Sequence, residues 1–333
     1  MCSVWKHGDT GHELSLAQIR ELAGILKKLN ISIVTLGGGE PLLREDIVEI
    51  VEIFSKDFDV RLQTNATLAN EQQIRALVKA GIKGVSISLD TLNPEKQDYI
   101  CGPGNTWYST VEKMILFSKL MPKRGCLLLA NTVVSKLNIH ELPQIALFVN
   151  KLGYSAVFLP VLLAHEAAHD YMFRGHAPKM AFSEEDYPLI DSTYAELTRM
   201  KKNGVEITNS ISFLAESARF LKKNFHWKCD AGRLYFTVDS DGSFLPCTEI
   251  DKTGHLFEEG FVNNFNSPEF KAIVDRKIAC CPSCMHPCQV EISKIMHDPM
   301  VFMEKAGAIL KLNSRARKCM EYAVAVTYAD FKA

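Results

Sequence analysis

Ten stretches of alternating character fill the first 160 residues, and they restrict the fold more than any single residue does. Leu16–Leu29 has helical apolar spacing closed by Asn30, and a β-rich run over Ile31–Leu36 ends in Gly37-Gly38-Gly39. The same reading predicts helices over Asp46–Phe54, Glu71–Ala80, Thr106–Leu120 and His140–Leu152, with strands over Val60–Thr64, Gly84–Leu89, Cys126–Val134 and Ser155–Leu162. A strict βαβα rhythm gives an α/β fold with a parallel sheet. Strands covered by helices are expected to be apolar on both faces. Right-handed crossovers then wind them into an open doubly wound sheet or a barrel. Polar residues gather where the strands end, at Gly38 to Pro41, Thr64-Asn65, Ser88 with Asp90, and Asn131. Both architectures place ligands at the carboxyl ends of strands.

The second constraint is the spacing of sulfur. Six of the ten cysteines lie between Cys229 and Cys288, as Cys229-x17-Cys247 and Cys280-Cys281-x2-Cys284-x3-Cys288. A Cys-x2-Cys turn can point two thiolates at one centre, an iron–sulfur cluster or a zinc ion. No secretory signal is readable, so a disulfide frame is not expected, and the expected compartment is the cytoplasm. Around these cysteines helices give way to short strands, with Asp239-Ser240-Asp241-Gly242 as a hairpin signal. The expected divisions are 1–226, a Cys-rich module at 227–290, and a helical tail at 291–333. A net charge of −1 offers no basic field for nucleic acid or an anionic membrane, and no apolar run is long enough to span a bilayer.

Gly38-Gly39-Glu40-Pro41, Leu62-Gln63-Thr64-Asn65, Ser86-Ile87-Ser88-Leu89-Asp90 and Asn131-Thr132-Val133-Val134 with Asn138 occur in the order found in the radical S-adenosylmethionine (radical SAM) superfamily, which this chain resembles. Cys229-Asp230-Ala231-Gly232, Asp241-Gly242 and Pro246-Cys247 resemble the opening of its SPASM or twitch extension. The resemblance implies a partial (β/α)6 TIM-type barrel lacking its first strand, followed by a small Cys-rich α+β module. It implies S-adenosylmethionine at Gly38, Gly39, Glu40, Pro41, Thr64, Asn65, Ser88, Asp90 and Asn131, with Glu40 supplying negative charge for the ammonium. It implies an auxiliary [4Fe–4S] cluster on Cys229, Cys247, Cys281 and Cys284, with Cys288 or Cys280 as alternatives. The gap after Cys284 departs from the full SPASM pattern and favours the one-cluster twitch form.

Cys2-Ser3-Val4-Trp5-Lys6 is similar to the third cysteine of the family's Cys-x3-Cys-x2-Cys motif for the catalytic [4Fe–4S] cluster. The first two would precede Met1, and a mis-assigned start is the expected explanation. The implied activity is reductive cleavage of S-adenosylmethionine and hydrogen abstraction, for oxidation or crosslinking of a ribosomal peptide. Alternatives are dehydrogenation of a small alcohol or aminocyclitol, and an iron–sulfur electron carrier without turnover. An electron donor such as flavodoxin or ferredoxin is the implied partner. His165-Glu166-Ala167-Ala168-His169 also fits the zinc-hydrolase pattern H-E-x-x-H. It follows a strand end and lacks a third ligand in register, so His165, His169 and Arg174 are expected near the substrate cavity instead.

Overall fold

Strands β1 (Ile33–Leu36), β2 (Asp59–Thr64), β3 (Gly84–Ser88), β4 (Leu127–Val134) and β5 (Ser155–Pro160) form one sheet in the order β1-β2-β3-β4-β5, every pair parallel. The computed structural model describes residues 13–102, 104–163, 177–223, 225–281 and 283–314. A parallel sheet whose spatial order follows chain order takes every crossover in one direction. All crossover helices then lie on one face and the sheet curls round the other, as in a barrel; a doubly wound sheet reverses order at a switch point.

The helices are α1 (Leu16–Lys28), α2 (Ile47–Phe54), α3 (Glu71–Ala80), α4 (Pro94–Cys101), α5 (Thr106–Leu120), α6 (Leu142–Lys151), α7 (Tyr187–Lys202), α8 (Ile211–Lys222), α9 (Phe261–Asn264), α10 (Pro268–Ala279), α11 (Pro287–His297) and α12 (Pro299–Ser314). Their limits follow local chemistry. Ser15 and Gln18 form a capping box at α1. Asn70 caps α3 by accepting from Gln73 N, and Gly81 ends it at φ 101°. Helix α4 is absent from the periodicity reading because its apolar residues do not share a face. Its signal was the Asn93 cap followed by Pro94.

Strand β5 is apolar on both faces as expected, with Ala156, Val157 and Phe158 all buried, whereas β2, β3 and the end of β4 are not. Val60, Leu62, Val85, Ile87, Leu128 and Ala130 are buried against the helices, in one core with Ile50, Val51, Ile74, Leu77, Met114 and Phe117. The alternate residues Arg61, Gln63, Ser86, Ser88 and Asn131 are only half-buried. They share the inner face, as the pairings Gln63–Ser86 and Ser88–Asn131 require. A barrel that must hold a polar ligand keeps its inner face polar, so alternation replaces the fully apolar pattern.

After α8 the chain makes a small antiparallel sheet, β6 (Thr237–Val238), β7 (Ser243–Leu245) and β8 (Gly254–His255). Phe244 is fully buried among Phe236, Phe261, Phe265 and Phe270. Helix α11 runs unbroken across residue 290, where the sequence placed the end of the Cys-rich module. It docks on α8 through Lys294 with Glu216 (2.8 Å), and Glu291 accepts from Ser210 N (2.6 Å). Among the described residues no helix is long and apolar enough to cross a membrane.

Candidate cofactor and cluster sites

Strand β1 delivers the chain into Gly37-Gly38-Gly39, all three exposed. Gly38 sits at φ 128°, a backbone conformation that disfavours any side chain. A Cβ at Gly38 or Gly39 would meet no atom within 4 Å, so the glycine backbone faces open space. Glu40 then caps the short helical turn Pro41–Leu43 and accepts from Leu42 N at 3.0 Å. Its carboxylate also accepts from Thr64 Oγ1 (2.6 Å) and from Asn65 N (2.8 Å) at the end of β2. Thr64 is itself buried and accepts from Ala66 N at 2.8 Å. Two carboxylate oxygens have about four acceptor positions between them. Three are filled by the protein, which leaves one for an incoming cation. Glycine backbone open to a ligand beside a fixed carboxylate is the arrangement an aminoacyl group requires.

Ser88 and Asn131 are backbone partners on the half-buried inner face, one strand further round. Asp90 lies differently. It is 4% exposed, and its carboxylate accepts from Val133 N at 2.7 Å. Its carbonyl accepts from Asn138 Nδ2 (2.7 Å), which also donates to Val133 O (2.8 Å). Gln97 Oε1 accepts from Asp90 N (3.1 Å) and Thr91 N (3.2 Å). Asp90 therefore ties β3 to β4, and burial raises its pKa to about 6. Sequence reasoning missed Gln97 and Glu141 as parts of this rim. Glu141 accepts from Thr91 Oγ1 (2.5 Å) and Leu92 N (2.9 Å) and pairs with Lys96. A buried glutamine on α4 was not legible while α4 itself was unread.

The structure draws Cys229, Cys247, Cys281 and Cys284 into one neighbourhood. Burial is the first cause raising the Cys284 thiol pKa, and Cys247, Cys281 and Cys229 add to it in that order. Burial likewise pushes the Cys247 thiol up to about 11, with Cys229 adding. The Tyr235 hydroxyl is pushed up by burial and by Cys229, Cys247 and Cys284. Each loop has its own anchor. Gly232, at φ 72°, leaves no space for a Cβ, which would lie 2.7 Å from Val274 Cγ1; its N–H donates to Tyr235 O (2.7 Å) and Pro246 O (3.1 Å). Trp227 Nε1 donates to Cys284 O (2.7 Å), and Ser283 Oγ to Phe225 O (2.6 Å), fixing the Cys-x2-Cys turn.

Cys288 and Cys280 stand apart from this group. Both are exposed, and the charged group bearing on Cys288 is Arg61 of β2. Two buried thiols, Cys247 and Cys284, with the half-buried Cys229 and Cys281 near enough to bear on Cys284, are a donor set of the chemistry a metal–sulfur centre uses. Among the described residues no three His, Cys, Asp or Glu side chains have the spacing of a single-ion site. Lys252 bridges Asp239 and Asp241 at 2.9 and 2.6 Å, and Asp241 accepts from Ser243 N (2.9 Å) in the hairpin turn. Cys126 is buried in the core, and Cys101 Sγ accepts from Gln97 Nε2 (3.2 Å). Cys2, His165, Glu166, His169, Arg174 and Cys319 lie outside the described residues.

Curled parallel sheet, glycine-flanked carboxylate and distal thiol group together define a class. Residues 1–149 match the family model for the radical SAM superfamily, and 229–289 match the SPASM model, an iron-sulfur cluster-binding domain. The chain carries a radical SAM domain followed by a C-terminal SPASM domain. A radical SAM domain implies a [4Fe–4S] cluster with S-adenosylmethionine, and a SPASM domain implies auxiliary iron–sulfur. A GTP 3',8-cyclase of Aquifex aeolicus is 34% identical over 150 residues, 44% of this chain and 45% of that protein. The chain thus spans less than half the length of that curated relative. Among solved structures, anSMEcpe with bound AdoMet and Cp18Cys peptide superposes at TM-score 0.59 and 18% identity, over 85% of this chain and 82% of that one. Streptococcus suis SuiB bound to precursor peptide SuiA gives TM-score 0.56 and 16% identity, over 77% and 60%.

Proposed function

We propose that the protein is a radical SAM enzyme that abstracts hydrogen from a peptide, leading to its oxidation or crosslinking. The observation that carries this reading is the joint presence of the Glu40 network at the strand ends and of Cys229, Cys247 and Cys281 near enough to bear on the buried Cys284 thiol. S-adenosylmethionine, bound at a reduced catalytic [4Fe–4S] cluster, supplies the carbon radical that takes the hydrogen atom. Cys2 is the residue of this chain assigned to that cluster. Glu40 holds the ammonium of the methionine moiety, oriented by Thr64 and Asn65. Gly38 and Gly39 admit the ligand to the backbone, and Ser88 and Asn131 offer a hydroxyl and an amide on the inner face. Cys229, Cys247, Cys281 and Cys284 would hold the auxiliary cluster, whose electron-accepting role suits a net oxidation.

Likeness to two structures that carry peptides, over most of this chain, supports a peptide substrate. The cyclase match covers less than half of it. The test is anaerobic incubation of reconstituted protein with S-adenosylmethionine, dithionite and cysteine-containing peptides. Formation of 5′-deoxyadenosine with a peptide two mass units lighter supports the proposal. Turnover of GTP, or of a small alcohol with peptides left unchanged, contradicts it.

A further inference from the structure

The Tyr235 hydroxyl lies 3.0 Å from Cys229 Sγ. This contact is built by the backbone. Gly232 N donates to Tyr235 O at 2.7 Å, and Ala231 forms a β-bridge with Tyr235, so the loop after Cys229 folds back on itself. Gly232 is in the left-handed region with Val274 against the place of its missing Cβ, which leaves the loop little freedom to open. The tyrosine ring is thereby returned to the sulfur six positions before it. A second donor approaches the same group from α11. Gln289 is 8% exposed, and its Nε2 lies 3.9 Å from Cys247 Sγ, at the long limit for sulfur.

Neither residue supplies a thiolate, so neither is needed to count ligands. A phenol facing a thiol has two possible hydrogen-bond directions. Facing a thiolate bound to iron it has one, because a thiolate can only accept. Hydrogen bonds to cluster sulfurs are among the factors that set reduction potential. A donor stabilises negative charge on sulfur, and the reduced cluster carries one charge more than the oxidised one. The donor therefore favours reduction.

We propose that Tyr235 is a positioning residue of the auxiliary centre, donating its hydroxyl hydrogen to the Cys229 thiolate and raising the reduction potential of the cluster. Gln289 adds a weaker donation to Cys247. The inference rests on the assignment of Cys229 and Cys247 as cluster ligands. It adds what that assignment lacks, a reason for the centre to accept an electron rather than only anchor a substrate.

The experiment is a dithionite titration followed by EPR on anaerobically reconstituted protein, wild type against Tyr235→Phe, with iron counted in each. The expected result is unchanged iron and a reduction equilibrium about tenfold less favourable, which is 59 mV lower for a one-electron couple. Full iron with an unmoved or higher potential overturns the proposal. If Tyr235→Phe loses iron, 3-fluorotyrosine at position 235 keeps the ring and strengthens the donor. Its potential then moves upward, and an unmoved value overturns the proposal. Cys229→Ala separates the two readings. Iron retained at the wild-type level sinks the ligand assignment and the tuning role together. Iron lost from Cys229→Ala, with no shift on changing Tyr235, sinks the tuning role alone.

Discussion

At the ends of β1 and β2, the Glu40 carboxylate accepts three hydrogen bonds from the protein, whereas in the module after α8 the buried Cys284 thiol is raised in pKa by burial and by Cys247, Cys281 and Cys229. The first region is complete as protein. Its core of buried aliphatic and aromatic residues runs behind the sheet, and its polar inner face stays half-open. The second region has short strands of two or three residues, and its phenylalanine cluster is continuous with the core behind the sheet. Such a module gains much of its stability from what its cysteines bind. The difference sets a carboxylate already held by the protein's own donors against a thiol group whose ordering is expected to depend on what it binds.

The largest expected effect is therefore on the module. Cys284→Ala removes a buried member of the thiol group. It is expected to lose essentially all auxiliary iron and to lower the module's melting transition while leaving the barrel's in place. Calorimetry with iron quantification checks this, and a single unshifted transition would break the contrast.

Next comes the buried carboxylate of the barrel. Asp90 titrates near 6 because burial disfavours its charge, against an ordinary value of 3.8. A raised folded pKa contributes stability that is fully present below the unfolded pKa and is lost as pH rises through the folded one. From pH 4 to 7 this residue alone lowers stability by roughly 2–3 kcal/mol. Asp90→Asn keeps an acceptor for Val133 N and is expected to remove that slope. Urea denaturation at several pH values reads it.

Glu40→Gln puts an amide nitrogen in place of one of the two accepting carboxylate oxygens, and it removes the charge. S-adenosylmethionine affinity is expected to fall about 10- to 100-fold, roughly 1.4–2.8 kcal/mol. Calorimetric binding measures the fall, while the melting of the barrel changes little. The smallest effect sharpens the comparison from the other side. Gly232→Ala strains a left-handed backbone and crowds Val274, for about 1–2 kcal/mol in the module. Hydrogen exchange is expected to rise around residues 229–247 and not in the five-stranded sheet.

Much of the barrel was legible because its helices and strands differ in period and its punctuation is local. Helices α3 and α5 match their predicted limits, Glu71–Ala80 and Thr106–Leu120. The polar strand ends were legible as a group, since Glu40, Thr64 and Asn65 each stand where a strand stops. Their partnership was not, because a hydrogen bond across 24 or 25 residues leaves no trace in local spacing. The choice of Cys229, Cys247, Cys281 and Cys284 over Cys280 and Cys288 came from resemblance. Local spacing cannot rank neighbouring cysteines such as Cys280 and Cys281, and only the fold shows that Cys280 and Cys288 are exposed while Cys284 is buried. Apolar-on-both-faces held for β5 and failed for β2 and β3. Short runs such as Ser86-Ile87-Ser88 alternate as a half-wet barrel demands, and the apolar average of the segment concealed it.

The most direct test is anaerobic reconstitution with iron and sulfide, followed by metal counting and EPR on the wild-type chain and on Cys247→Ser. The account predicts brown protein holding about four iron atoms for the distal thiol group, with that complement lost in the variant. Colourless wild-type protein that takes up one zinc ion and no iron would contradict it.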